Sequence, residues 1–232
     1  WYHASGAGLC SRKLYFESVE KAVPTNPSNE RSYRIMRLGT VIHEEVEKAL
    51  IYYNNIYNNI NNNINNKSNG SNIVETYPPK GGFEIEGEII LDELNVRGFF
   101  DFLLYNSSAS DTEPLIQLYD LKSASNWNYR KKFGKKVLFP AENRGYNLQL
   151  GTYGIGVQRK YGRVDKMALL YYNKDTSEMA LQDVPLHFID QAKRYWRTIN
   201  EEHSKGLPGF LHGTSPGNDW ICKKYCQFRD HC

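Results

Sequence analysis

The sequence predicts an α/β fold in which a central mixed β-sheet is flanked by helices. Three observations carry this. Apolar residues recur at helical spacing before residue 54, a two-residue period takes over between 83 and 123, and helix, strand and helix alternate after 143. The 232 residues fit one domain, long enough to bury a core without a staple.

Residues 9–22 (LCSRKLYFESVEKA) predict a first helix, and Pro24 and Pro27 mark the loop after it. Residues 33–53 predict the next, with Leu38, Ile42, Val46 and Leu50 on one face. A break is expected over 54–72, where eleven Asn are interleaved with Ile, Lys, Ser and Gly. This composition reads as an exposed low-complexity insertion, tolerated without function. FEIEGEIIL (83–91) and VRGFFDFLLY (96–105) predict antiparallel strands joined by a short turn near Asp92 and Asn95. A polar loop (106–113) leads to a third strand, LIQLYDLKS (115–123). A helix is expected over 143–161, a strand over 167–172 with a partner near 178–184, and an amphipathic helix over 186–204. The tail, 206–232, is rich in Gly, Pro and Cys and reads as irregular. Neither an internal repeat nor a second domain is visible.

The formal net charge of +3 is a weak pointer to nucleic acid. The 17 Tyr are expected mainly in a half-polar core. No apolar run approaches the roughly 20 residues of a membrane span, and no signal segment is visible. An intracellular setting is therefore expected: cytoplasmic, nucleoid-associated, or virus-encoded and acting in a host cell. Structural disulfides are uncommon there, so the four cysteines read as ligands rather than as two bridges.

Asp101 interrupts an apolar strand, and Asp120 and Lys122 interrupt another. Strand alternation puts Asp120 and Lys122 on one face. Buried charges are expensive unless paired or metal-bound. The bland reading is a structural Asp–Lys ion pair. The functional reading explains more: carboxylates on neighbouring strands hold a hard divalent cation, which activates water and polarises a phosphodiester, while a lysine offsets developing charge. It requires Asp101 to lie beside Asp120. Glu88, on the preceding strand, reads as solvent-facing, with a secondary ligand role as the alternative.

The stretches RGFFDFLL, YDLKS and NLQLGTYG resemble the RecB-type branch of the PD-(D/E)XK nuclease superfamily. That family's pattern, Gly-x-x-Asp, Asp-x-Lys and Gln-x-x-x-Tyr, falls here on Gly98 and Asp101, Asp120 and Lys122, and Gln149 and Tyr153. A preceding Gly-x-x-x-His falls on Gly39 and His43. The resemblance implies a restriction-endonuclease-like fold and an Mg²⁺- or Mn²⁺-dependent deoxyribonuclease. It implies that His43, Asp101, Asp120 and the carbonyl of Leu121 hold the metal, that Lys122 assists the attacking water, and that Gln149 and Tyr153 bind DNA near the scissile phosphate and the backbone. It further implies a single-stranded DNA exonuclease of 5′→3′ polarity. The alternative is a nucleic-acid-binding or partner-scaffolding module on a nuclease fold with weak or lost cleavage; an RNA nuclease also remains open.

Cys10 stands near the start, and Cys222, Cys226 and Cys232 cluster at the end. Four thiolates suit zinc or an iron–sulfur cluster. The one-plus-three split resembles the iron–sulfur subgroup of these nucleases, which includes CRISPR-associated Cas-family exonucleases and AddB-type nuclease domains. The resemblance implies a structural 4Fe–4S cluster joining residue 10 to the segment 206–232. Three residues between Cys222 and Cys226, where the subgroup usually has two, leave the cluster type open. A separate helicase, or recombination or adaptation proteins, are the partners it implies besides DNA. For DNA itself, Arg12 is a candidate phosphate contact. Arg130, Lys131 and Lys132, in a basic loop over 130–136, are expected to track the backbone, with Trp127 and Phe133 stacking unpaired bases.

Overall fold

The computed structural model describes residues 1–65, 81–106, 115–134, 144–209, 222 and 226–232. Its elements are β1 (Tyr2–His3), α1 (Ser11–Tyr15), α2 (Glu30–Asn65), β2 (Gly81–Leu91), β3 (Val96–Asn106), β4 (Leu115–Ala124), α3 (Asn126–Phe133), α4 (Arg144–Tyr161), β5 (Lys166–Asn173), β6 (Met179–Asp183) and α5 (Phe188–Ser204). The six strands form one mixed sheet. β2 runs antiparallel along all of β3, β4 and β5 are parallel, and β6 closes the far edge antiparallel to β5. The arrangement is compatible with the restriction-endonuclease-like fold that the resemblance implies.

Helices cover both faces. On one, α4 packs against the sheet through Leu148, Ile155 and Val157, and α5 packs outside it through Ile189, Ala192 and Trp196. The Trp196 indole N–H donates to Thr152 Oγ1 (2.8 Å), so this buried polar group is satisfied. On the other face, α2 brings Leu50 onto a smaller cluster of Phe102, Tyr119 and Ala168, with Phe102 and Tyr119 stacked at 4.8 Å. Among the described residues, no helix is long and apolar enough to cross a membrane.

Two expectations are corrected. The break at 54 is not observed, because α2 continues to Asn65. Ile56, Ile60 and Ile64 recur every fourth residue within the Asn-rich run, a helical spacing that its low complexity obscured. Residues 66–72 lie outside the described part. The basic run is likewise no loop at its start: residues 126–133 are helical. Asp175 accepts from the Asn126 N–H (2.7 Å), serving a donor that the first turn of a helix leaves unpaired, and Tyr129 anchors the helix in the core. β1, too short to announce itself, pairs parallel with the start of β3.

The N-terminal segment is tied to α5 through His203. Its Nε2 faces the Ser11 carbonyl (3.1 Å), which can only accept, so Nε2 carries the proton and Nδ1 accepts from the Tyr2 hydroxyl (2.7 Å). Burial pulls its pKa below the usual 6.5. Folding therefore favours the neutral ring: this contribution to stability is complete above 6.5 and is lost as pH falls through the depressed folded value. Urea unfolding at pH 7.5 and pH 5 tests this, since His203→Phe is expected to reduce the loss of stability between them. An undiminished loss in the variant contradicts the assignment.

Candidate active site

The site begins with a slip in strand alternation. In β2, Phe83 and Ile85 face α2, whereas Ile89 and Leu91 belong to the α4 face; in β3, Phe100 belongs to the α4 face and Phe102 to the α2 face. The strict two-residue period has shifted by one in both strands, which moves every later side chain to the opposite face. The pairings Ile85↔Phe102 and Gly87↔Phe100 leave Glu86 and Asp101 opposite each other at the slip, and Glu86 takes a left-handed conformation (φ 50°). Asp101 thereby joins Phe102 on the α2 side.

The β3–β4 pairing stops at the same place, its last pair being Phe102↔Tyr119. One step on, the charge of Asp101 reaches Asp120 and helps raise its pKa. Asp101 Oδ2 accepts a short hydrogen bond from the Leu121 N–H, so a carboxylate replaces the backbone acceptor the ladder would have supplied. The opening lets side chains from the two faces meet across the sheet.

From the α2 side come His43 and Glu47. Gly39, one turn before His43, lets α2 approach β4, since a Cβ there would stand 3.1 Å from Ser123 Oγ. His43 Nδ1 lies 3.6 Å from Asp101 Oδ1, and the carboxylate raises its pKa against the opposing effect of burial. Single ligand atoms of His43, Glu47 and Asp101 lie within 4.8 Å of one another. Partial burial, with Glu86 and Asp101 nearby, raises Glu47. An imidazole and carboxylate oxygens massed this way suit a hard divalent cation.

From the α4 side come Asp120, Lys122, Gln149 and Tyr153. Asp120 is 2% exposed, and burial pushes its pKa up to about 6 although Lys122 opposes the rise. The Lys122 ammonium lies 2.6 Å from Asp120 Oδ2, as an ion pair without hydrogen-bond alignment, so that oxygen has no aligned donor. Burial opposes the charge on Lys122, yet the facing carboxylates raise its pKa and keep it protonated. Gln149 ties the pair together: its Oε1 accepts from Lys122 (3.1 Å), and its Nε2 donates to Tyr153 (2.9 Å) and, more weakly, to Asp120 Oδ1 (3.4 Å). Gly98 makes room for Tyr153, because a Cβ there would meet the tyrosine ring at 3.0 Å and Ala4 at 2.9 Å.

Gln149 and Tyr153 are buried, and Gln149 bonds both members of the Asp120–Lys122 pair. Arg12, the candidate phosphate contact, is 8% exposed and donates to the Pro208 carbonyl (3.0 Å). Phe133 is half-buried and packs against Tyr129 and Tyr171. Trp127 and Arg130 are exposed on α3, Lys131 stands over the Trp127 ring, and Lys132 donates to Gln182. Glu88 faces solvent. Lys135 and Lys136 lie outside the described residues.

Two clefts open at the site. One, of about 540 Å³, is lined by His43, Glu44, Glu47, Glu86 and Asp101; the other, of about 580 Å³, by Lys122, Lys131, Lys132 and Tyr146. Glu47, Glu86 and Tyr146 are additions to the residues expected from sequence. Glu47 was open to prediction, since four residues after His43 on a helix puts it on the same face. Glu86 was not, because its placement depends on the slip.

The four cysteines form no disulfide. The C-terminal segment docks on the chain's beginning: the backbone N–H groups of Thr25 and Asn26 donate to the Gln227 carbonyl, and Phe228 packs on Phe16. Burial raises the pKa of the Cys226 thiol.

No protein-family model matches the chain, and no curated protein matches it. Among solved structures it is similar to the crystal structure of SSO0001, with a TM-score of 0.48 and 17% identity over 99% of this chain and 84% of that one. It is also similar to a Eubacterium rectale protein provisionally described as an exonuclease, with a TM-score of 0.32 and 16% identity over 51% of this chain and 46% of that one.

Proposed function

We propose that this chain is a divalent-metal-dependent deoxyribonuclease. The observation that carries the reading is the gathering of His43, Glu47 and Asp101 beside the buried Asp120–Lys122 pair, where the β3–β4 ladder ends. A structural ion pair explains Asp120 and Lys122, but not His43, Glu47 and Asp101 gathered beside them. The donors fit Mg²⁺ or Mn²⁺: hard oxygens and one imidazole, with a buried Asp120 oxygen lacking an aligned donor. His43, Asp101, Asp120 and the Leu121 carbonyl would hold the ion, with Glu47 as a further ligand.

Bound there, the cation supplies Lewis acidity toward the phosphate and a water of lowered pKa. The protein's own groups do the rest. Lys122, kept charged and aimed by Asp120 and Gln149, offsets the negative charge that grows on the phosphate oxygens and orients the incoming water. Tyr153 fixes Gln149, and through it the Lys122 ammonium. Arg130, Lys131 and Lys132 on α3 give the strand a cationic edge that reads backbone rather than sequence. The substrate we assign is single-stranded DNA with a free end, cut 5′→3′, as the sequence resemblance implies. A 4Fe–4S cluster on Cys10, Cys222, Cys226 and Cys232 would clamp the two ends of the chain; what supports it is the docking of Gln227 on Thr25 and Asn26 and of Phe228 on Phe16.

The test is degradation of end-labelled single- and double-stranded DNA and RNA with Mn²⁺, Mg²⁺ or EDTA. Wild type is expected to degrade single-stranded DNA only with metal, and Asp101→Ala and Lys122→Ala to stop it. Metal-dependent degradation that survives both substitutions removes the site. Binding without cleavage under every condition would leave a nucleic-acid-binding module.

A further inference from the structure

The acidic and basic clefts share a wall made of Ile35, Ser123 and Lys174. Lys174 follows the last residue of β5. Its backbone N–H donates to the Ala124 carbonyl at the end of β4 (2.8 Å), which fastens the ends of the two parallel strands. Beside it, Asn173 is fully buried and donates to Asn126 (3.1 Å), while Asp175 accepts from the first N–H of α3 (2.7 Å). The turn is thus fixed by three elements, and Lys174 leaves it from a determined place.

The other cations of the basic cleft are already engaged. Lys122 faces Asp120, Lys131 stands over the Trp127 ring, and Lys132 donates to Gln182. Lys174 is half-buried, and among the described residues no carboxylate lies within ion-pair distance of it. A half-buried lysine at the seam between an acidic cleft and a basic one is placed to meet an anion that spans both. A cleft of about 580 Å³ is in the range that encloses one small ligand, and is too small for a duplex.

We propose that the basic cleft is the subsite for the nucleotide adjoining the scissile phosphate, and that Lys174 holds that nucleotide's own phosphate. The proposal rests on the nuclease reading for the position of the scissile bond. Lys174 acts as a positioning residue: it fixes the register of a single strand whose next phosphodiester lies over Asp101 and Asp120. The ligand class is a single-stranded oligonucleotide of at least two phosphates, held through its backbone.

The experiment compares wild type with Lys174→Ala, Lys174→Gln and Lys174→Arg, all checked by thermal melting. Two readouts are taken. In the first, a fluorescently labelled single-stranded oligonucleotide is titrated in EDTA at several salt concentrations. The log–log salt slope of Lys174→Ala is expected to be shallower by about 0.7, the contribution of one phosphate on a single strand. In the second, Mn²⁺-dependent cleavage is followed on a labelled oligonucleotide and on a thymidine 5′-phosphate aryl ester, which has one phosphodiester and nothing beyond it. Lys174→Ala and Lys174→Gln are expected to raise KM for the oligonucleotide about tenfold, the effect of losing one charge-assisted hydrogen bond, with kcat little changed. The aryl ester is expected to be cleaved as by wild type, and Lys174→Arg to recover most of the oligonucleotide KM. An unchanged salt slope overturns the subsite, whether or not the protein cleaves. Equal loss on both substrates also overturns it, since Lys174 would then act on the reaction itself. If wild type does not cleave at all, the nuclease reading fails while the salt slope still decides whether Lys174 holds a phosphate.

Discussion

Asp120→Ala is expected to lower metal-dependent cleavage by about a thousandfold and to destabilise the fold by about 3–5 kcal/mol. The two effects have different origins. The rate falls because the substitution removes a buried carboxylate that the charge of Asp101 reaches, and electrophilic stabilisation of a phosphoryl oxygen is worth several kcal/mol. The stability falls because Lys122, with a side chain only 17% exposed, is left without its ion partner. An opposing effect exists. Burial holds Asp120 up at about 6, so removing it also relieves a desolvated carboxylate. The lone ammonium wins, because a buried charge stripped of its partner costs more than the pair cost together. The double variant Asp120→Asn, Lys122→Met separates the two, since it is expected to recover most of the stability and none of the cleavage. Urea unfolding and a Mn²⁺ cleavage assay read them independently. A single variant as stable as wild type would mean that Lys122 reaches solvent; a single variant still active would mean that Asp120 holds no metal.

Cys226→Ser is expected to lower the melting temperature by about 10–20 °C. A centre joining Cys10 to the tail closes a loop of some two hundred residues. In the chain-entropy model that closure is worth about 5 kcal/mol, and in a chain of this size each kcal/mol shifts melting by a few degrees. The tail has little core to replace it: of residues 226–232, Phe228 alone is buried. Visible-region absorbance and iron and zinc analysis of wild type identify the centre, and calorimetry measures its effect. Stoichiometric zinc in a colourless protein would replace the iron–sulfur assignment while keeping the cross-link. A metal-free wild type that melts with Cys226→Ser would remove the centre altogether.

The strands and the major helices were legible because each buries one face or one stripe, and burial writes its period into the sequence. The helix 186–204 and the strands 83–91, 96–105 and 115–123 all appear within a few residues of the expected place. Elements that lean on tertiary contacts were not legible. β1 has two residues, and α3 depends on Asp175, nearly fifty positions away, for the partner of its first amide. The helical end of α2 was hidden by composition rather than by period.

By itself the sequence determined the α/β class and the order of its elements, and it singled out Asp101, Asp120 and Lys122 as charged residues interrupting apolar strands, with His43 added by the family resemblance. Only the tertiary structure decided how they combine. It brought the charge of Asp101 within reach of Asp120 where the β3–β4 ladder ends, and turned Asp101 toward His43 by slipping the alternation at Glu86. It added Glu47 and withdrew Arg12 into the interior. The physical reason is that periodicity records which face of an element is buried, whereas the opening in a sheet, the register of two strands and the depth of a long side chain are set by packing between residues far apart in the chain.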